Sequence, residues 1–314
     1  MIQRKIRAAF TMIELVMVIV ILGVVAMIST DIISKMYQGY IRSQIINELQ
    51  QKTELTLDQI AKRLQYRIKS TVIAKNSTTT GVFKSLSEDN NITTYNMLEW
   101  IGYDNEGFLG EFNNTGAVGV FVPGWSGFVD LIDSNITHIS TPGSTLLFAE
   151  RTIMALSNGD VNMSNAVNDY PAVIFKKQDH SATVRTFGLD PTSTDHNNTY
   201  RVMRIGNDML EYQEPAIAII EKIVHEQYYL AWSAYAIVPE GTDNTDFNLT
   251  LRYSYQPWHN ERFDDLNTSS TLLAEHVSTF RFTQTGNIMS IKLCIQDGNK
   301  TGIPIGFCKE KAIF

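Results

Sequence analysis

The sequence predicts an α+β chain. In it a long amino-terminal helix, transmembrane at first and amphipathic after, packs on an antiparallel β-sheet within a large β-rich head. Three observations predict this. Residues 10 to 30 form an apolar run that holds a single ionisable side chain, Glu14. No proline interrupts residues 10 to 74, and apolar residues recur there at helical spacing. From residue 76 onward, short β-branched and aromatic runs alternate with turn residues, as in strands joined by loops.

The first element is a cationic leader, residues 1–9, with Arg4, Lys5 and Arg7 and no acid. Positive charge ahead of an apolar run stays on the cytoplasmic side, so the rest of the chain is exported. The run begins at once at Phe10, and the small pair Ala8-Ala9 precedes it, whereas an ordinary secretory signal places its cleavage site after the apolar core. The 21 residues from Phe10 to Thr30 make a helix of about 31 Å, roughly the thickness of a hydrocarbon core. Residues 10–33 are therefore expected to span. A carboxylate in that setting costs several kcal/mol unless it has a partner or a task, which makes Glu14 the residue to explain.

The stretch Arg4-Lys5-Ile6-Arg7-Ala8-Ala9-Phe10-Thr11-Met12-Ile13-Glu14-Leu15 resembles the class III signal of type IV pilins and of the pseudopilins of type II secretion. The resemblance implies that prepilin peptidase cuts between Ala9 and Phe10 and methylates the new amino terminus, leaving Glu14 fifth in the mature chain. Thr11, Ile13 and Leu15 fit the pattern. Ala9 stands where the family generally carries glycine, and Asp31 stands near where major pilins often carry proline. A free amine at Phe10 can pair with Glu14 of a neighbouring subunit, which turns two buried charges into one pair and fixes the stagger between subunits. The plainer alternative is an uncleaved signal anchor whose Glu14 snorkels to the interface.

The helix is expected to continue as an amphipathic segment over residues 34–75. Ile41, Ile45, Leu49, Leu57, Ile60, Leu64 and Ile68 lie on one stripe, while Glu48–Lys52 and Asp58–Lys62 are acid-to-base pairs four residues apart on the solvated side. Such a stripe is domain core in preference to a partner-binding face. Unbroken from residue 10 to 74, the helix would reach about 97 Å.

Residues 76–314 form the expected head. Strands are predicted at 116–122, 145–149, 171–176, 228–238 and 247–255. In the last, Phe247, Leu249, Leu251, Tyr253 and Tyr255 alternate with polar neighbours, as in an antiparallel sheet with one covered face. Residues 277–282 and 291–295 flank Thr285-Gly286-Asn287 and predict a hairpin. Cys294 and Cys308 are the two cysteines, and in an exported chain a disulfide is expected, worth roughly 3 kcal/mol. Two buried thiols are the alternative. The order Leu272-Leu273, Val277, Phe280, Phe282, and the helical stretch 57–67, are similar to J-type minor pseudopilins.

The net charge of -7 becomes -10 once the three leader cations are removed, a poor balance for wrapping nucleic acid, so no nucleic-acid partner is expected. Gly124-Trp125-Ser126-Gly127 falls short of a nucleophile elbow because its second glycine comes one place early, and it reads as a surface turn. His225-Glu226 lacks the second histidine of a zincin and reads as the edge of a strand. Asp243 and Asp246, in Asp243-Asn244-Thr245-Asp246, are weak calcium candidates, since some pseudopilins bind calcium. The stretch lacks the glycine and distal glutamate of an EF-hand, and a solvated turn is the alternative. Tyr228, Tyr229, Trp232 and Tyr235 are a ligand platform or, as strand aromatics usually are, core. No catalytic constellation, cofactor or metal site is expected.

The expected function is structural: a minor pilin or pseudopilin in the bacterial inner membrane, its head periplasmic, joining or priming a type II secretion pseudopilus. The implied partners are other pilins or pseudopilins, prepilin peptidase, the inner-membrane assembly platform and membrane lipid. The alternatives are a minor pilin of a type IV pilus serving adhesion, motility or DNA uptake, and a signal-anchored periplasmic binding module that never polymerises. A head of about 240 residues favours a minor or tip position, because a bulky head packs poorly around a thin filament.

Overall fold

A computed structural model describes residues 11–77, 83–86, 95–113, 119–164, 169–176, 184–190, 196–213, 224–243, 245–298 and 305–314. Helix α1 runs Met12–Gln65, 54 residues or about 81 Å. It stops nine residues short of residue 74, the predicted end of the unbroken helix. Arg67 is buried there and donates from Nη1 to the Leu64 carbonyl at 2.6 Å, so a cation caps the negative end of the helix. Ile68 then bonds through its main-chain N–H to the Ile101 carbonyl at 2.9 Å, and the chain turns through a 3-10 segment, Lys69–Thr71, into a strand. The spacing of Ile68 from Leu64 is helical by coincidence; a sheet already claims its backbone.

Two shorter helices come next, α2 (Asn105–Leu109) and α3 (Leu146–Leu156). The described residues hold fifteen strands. The first nine are β1 (Ile73–Lys75), β2 (Phe83–Ser85), β3 (Met97–Gly102), β4 (Glu111–Asn113), β5 (Val120–Val122), β6 (His138–Ser140), β7 (Ala172–Phe175), β8 (Tyr200–Arg204) and β9 (Met209–Tyr212). The remaining six are β10 (Tyr228–Ala231), β11 (Ser233–Asp243), β12 (Asp246–Tyr255), β13 (Ser269–Thr285), β14 (Ile288–Gln296) and β15 (Gly306–Ile313). An eight-stranded antiparallel sheet takes the order β15-β14-β13-β12-β11-β3-β1-β2, and a five-stranded one the order β10-β7-β8-β9-β6. Strands β4 and β5 pair with each other as a separate ribbon.

These elements stack in four layers. Leu57, Ile60 and Leu64 of α1 meet Trp100, Leu251 and Leu293 on one face of the large sheet. The opposite face presents Met97, Ile101 and Ala236 to Ala172 and Ile174 of the small sheet. The far side of the small sheet, with Val173, Phe175 and Leu230, is closed by Leu146, Ala149 and Ile153 of α3. Strand pleating sorts the residues: in β3, Met97 and Ile101 go one way while Leu98 and Trp100 go the other, and all six residues are buried. The sheet predicted to have one covered face is covered on both along β3.

Three strand predictions change accordingly. Residues 145–149 enter α3; Leu146, Ala149, Glu150 and Ile153 form its buried stripe, so the apolar run was the start of a helix face, which a short run cannot distinguish from a strand. Residues 228–238 are two strands in different sheets, β10 and β11, and the chain changes sheet at Trp232. Within 116–122, only Val120–Val122 is a described strand. The predicted hairpin is present as β13 and β14, with registered pairs from Thr285↔Ile288 to Phe280↔Leu293.

Candidate functional site

The site begins where α1 is bare. Every residue from 11 to 40 is exposed, and the apolar run has a mean hydropathy of 2.7, long and apolar enough to cross a membrane. Ala9 and Phe10 lie outside the described residues. Glu14 stands in the first turn of α1, where its Oε2 accepts from the Thr11 N–H at 3.4 Å and the Thr11 hydroxyl at 3.3 Å. Both bonds are long for their type, and Glu14 stays exposed, so the carboxylate remains open to a stronger cationic donor. Asp31 and Lys35, an exposed pair at 2.7 Å, mark the first charges after the run.

Toward the head the same helix is sheathed. Leu49, Thr53, Thr56, Leu57, Ile60, Ala61 and Leu64 are buried. Strand β15 holds its flank by two ion pairs, Lys309–Glu54 at 2.7 Å and Lys311–Asp58 at 2.5 Å. The Lys311 ammonium, by hydrogen bond and charge, holds the Asp58 carboxyl below its ordinary range. Two strand residues cover about 6.8 Å and four helix residues about 6 Å, so alternate lysines on β15 match acids one helical turn apart. The signal was present in the sequence as paired spacings. It becomes legible only once β15 is known to lie along α1.

Cys294 and Cys308 form a disulfide between directly opposed residues of β14 and β15, their Cα atoms 4.0 Å apart. It ties the edge strand carrying Lys309 and Lys311 into the sheet. A groove of about 560 Å³ opens where α1 leaves the head, between Ile45, Leu49 and Lys52 on the helix and Leu272, Ala274 and His276 on β13.

The calcium candidates go separate ways. Asp243 Oδ1 accepts from the Thr245 N–H at 2.8 Å and its hydroxyl at 2.7 Å, while Asp246 faces His276 Nδ1 at 3.1 Å. No group of three or more His, Cys, Asp or Glu suited to a metal occurs among the described residues. The turn reading is the one the geometry supports. Tyr228 and Trp232 are buried and Tyr235 stacks on Trp100 at 5.8 Å, as core aromatics do. The segment 124–127 is not a surface turn: Trp125 is buried, and its indole N–H donates to the Asp104 carbonyl at 2.9 Å. The Ser126 hydroxyl bonds Ser144 and the main chain of Phe128.

Sequence reasoning missed a buried polar chain, a buried carboxyl and a half-buried one. Lys75, Glu99 and Tyr255 form a chain between the two sheets, with Tyr255 donating to Glu99 Oε1 at 2.8 Å. Asp104 caps α2 by accepting from the Gly107 N–H at 3.0 Å, and burial pushes its carboxyl up to about 7. Glu261 is likewise raised to about 7 by burial, with the charges of Asp169, Asp265 and Asp160 adding to it. Nothing local in the sequence marks Glu99, because the Tyr255 that bonds it lies 156 residues on. No known protein family, curated protein or solved structure matches the chain.

Proposed function

We propose that the chain is a membrane-anchored minor subunit of a pilin-like filament, and specifically a minor pseudopilin that joins or primes a type II secretion pseudopilus. One observation carries this reading. A single α1 helix is sheathed by the head from Leu49 to Leu64, yet is exposed over residues 12–40, and its apolar run to Thr30 carries a lone carboxylate, Glu14, the fifth residue after the Ala9–Phe10 junction. A plain anchor needs the apolar surface but has no use for the carboxylate, whose insertion costs several kcal/mol. An assembling subunit uses both: lipid or neighbouring helices cover the bare surface, and the neighbour's Phe10 amine pairs with Glu14.

On this reading prepilin peptidase removes residues 1–9 and methylates Phe10, and the head is periplasmic. Glu14→Ala is expected to leave insertion and cleavage intact and to abolish crosslinking to partner subunits in cells. Filament incorporation at the wild-type level would refute the role of Glu14. A chain that stays uncleaved in cells with active prepilin peptidase would favour the anchored binding module.

A further inference from the structure

Nine Asn-x-Ser/Thr triplets occur in the chain, all beyond residue 75 and none with proline in the middle. In eight of them the residue two places before the asparagine is Asp or Glu, at positions 89, 111, 133, 160, 195, 246, 265 and 297. The ninth, Asn76, comes two places after Ala74. Asp and Glu supply 33 of 314 residues, so composition alone would put an acid there about once in nine. Turn chemistry does not account for the excess. Asn248 lies in β12 and Asn113 in β4, so the acid recurs where the backbone is no turn.

Asn-x-Ser/Thr is the acceptor triplet for N-linked glycan transfer in an exported chain. A carboxylate two places ahead adds a handle that a guanidinium in an acceptor groove can take in a bidentate, charge-assisted pair. We propose that the head is an N-glycosylation acceptor for an oligosaccharyltransferase that reads this carboxylate, with Asn135, Asn197 and Asn267 its sites in the folded protein. This rests on the reading that the head is exported.

The three are exposed and lie between strands: Asn135 ahead of β6, Asn197 ahead of β8, and Asn267 ahead of β13. Asn135 Oδ1 accepts from the Thr137 N–H and from its hydroxyl, both at 2.8 Å, and Asp133 beside it is exposed. Asn267 stands next to Leu266, which is fully exposed, and the Asp265 carboxylate accepts from the Arg262 N–H at 2.7 Å. None of the three is on α1, β14 or β15, so bulky glycans there leave the helix clamp free.

In the reaction, Asn Nδ2 attacks C1 of the first sugar of a polyprenyl-diphosphate-linked oligosaccharide. The N–C1 bond forms, the C1–O bond to the diphosphate breaks, the proton on Nδ2 passes to a carboxylate of the transferase, and polyprenyl diphosphate leaves. Asn162 is held inside the fold, and Asn248 is locked between β11 and β13, so neither can bend into an acceptor groove once folded.

The test uses the full-length chain in detergent with a bacterial oligosaccharyltransferase and its lipid-linked oligosaccharide, read by glycopeptide mass mapping. Occupancy is expected at Asn135, Asn197 and Asn267 and is expected to be absent at Asn76 and Asn162. Asp133→Ala is expected to lower occupancy at Asn135 at least tenfold while Asn267 keeps its own, and Asp133→Glu is expected to restore it. Transfer to none of the three while a control acceptor peptide is modified, or transfer to Asn135 indifferent to Asp133→Ala, overturns the proposal. Because this reaction involves no membrane crossing, its failure is distinct from a failure of export, which protease accessibility of the head in spheroplasts reads.

Discussion

The two halves of α1 share one unbroken backbone and have opposite surroundings. From Met12 to Tyr40 every side chain is exposed, whereas from Leu49 to Leu64 one stripe is fully sheathed by the sheet. As far as Ile28 the first half is apolar all round apart from Glu14, and a helix of that kind has no polar face to turn toward water, so it belongs in lipid or among other helices. The second half confines its apolar residues to one side and places Glu54 and Asp58 on its flank, where Lys309 and Lys311 meet them. Burial in the head therefore depends on the distribution of apolar residues around the helix rather than on their number.

The comparison breaks most readily at Leu64, which has no exposed surface. Leu64→Ala is expected to cost about 2–5 kcal/mol by transfer and cavity terms, read as a fall in the denaturation midpoint of the head. An unchanged midpoint would mean that the sheathed half is not core. Next comes the disulfide: Cys294→Ser with Cys308→Ser is expected to cost roughly 3 kcal/mol by freeing the unfolded loop. Limited proteolysis should then release β15 before the rest of the sheet.

A smaller effect is expected at the ion pairs. Lys311→Ala should cost under about 1 kcal/mol, because the pair is solvent-exposed. Its pH dependence has a definite sign. The Asp58 carboxyl is depressed in the folded protein, so its contribution is present above its ordinary value of 3.8 and is lost as pH falls below that value. The Lys311→Ala chain should therefore show a shallower acid loss of stability than the parent, and equal slopes would rule out the clamp. Smallest of all, Val20→Ala in the bare half should leave the head's midpoint within about 0.5 kcal/mol in detergent. A larger shift there would place the bare half against the head.

The two halves also differ in how well the sequence announced them. The bare half was legible almost residue by residue, because spanning a bilayer depends on local length and apolarity. The sheathed stripe was legible from Leu49 to Leu64 but overran to Ile68, whose partner is Ile101, over thirty residues away. The hairpin of β13 and β14 and the pairing of Cys294 with Cys308 also came through, since both rest on short separations. The run at residues 145–149 did not: its continuation through Glu150 and Ile153 carried the helical period, and a five-residue window hides it. Trp232 was read inside one strand because nothing local marks a change of sheet.

By itself the sequence determined the apolar segment able to span, the lone carboxylate in its first turn, the amphipathic continuation, and the β-rich character of the head. Each depends on composition and period within a few turns of chain. Only the tertiary structure decided where α1 ends, that a second sheet and α3 cover the first sheet's far face, and that β15 lies along the helix with its lysines in step with Glu54 and Asp58. Those outcomes depend on which distant surfaces exclude water from one another. Partner choice of that kind has no local signature, because many strands of similar pattern compete for the same face.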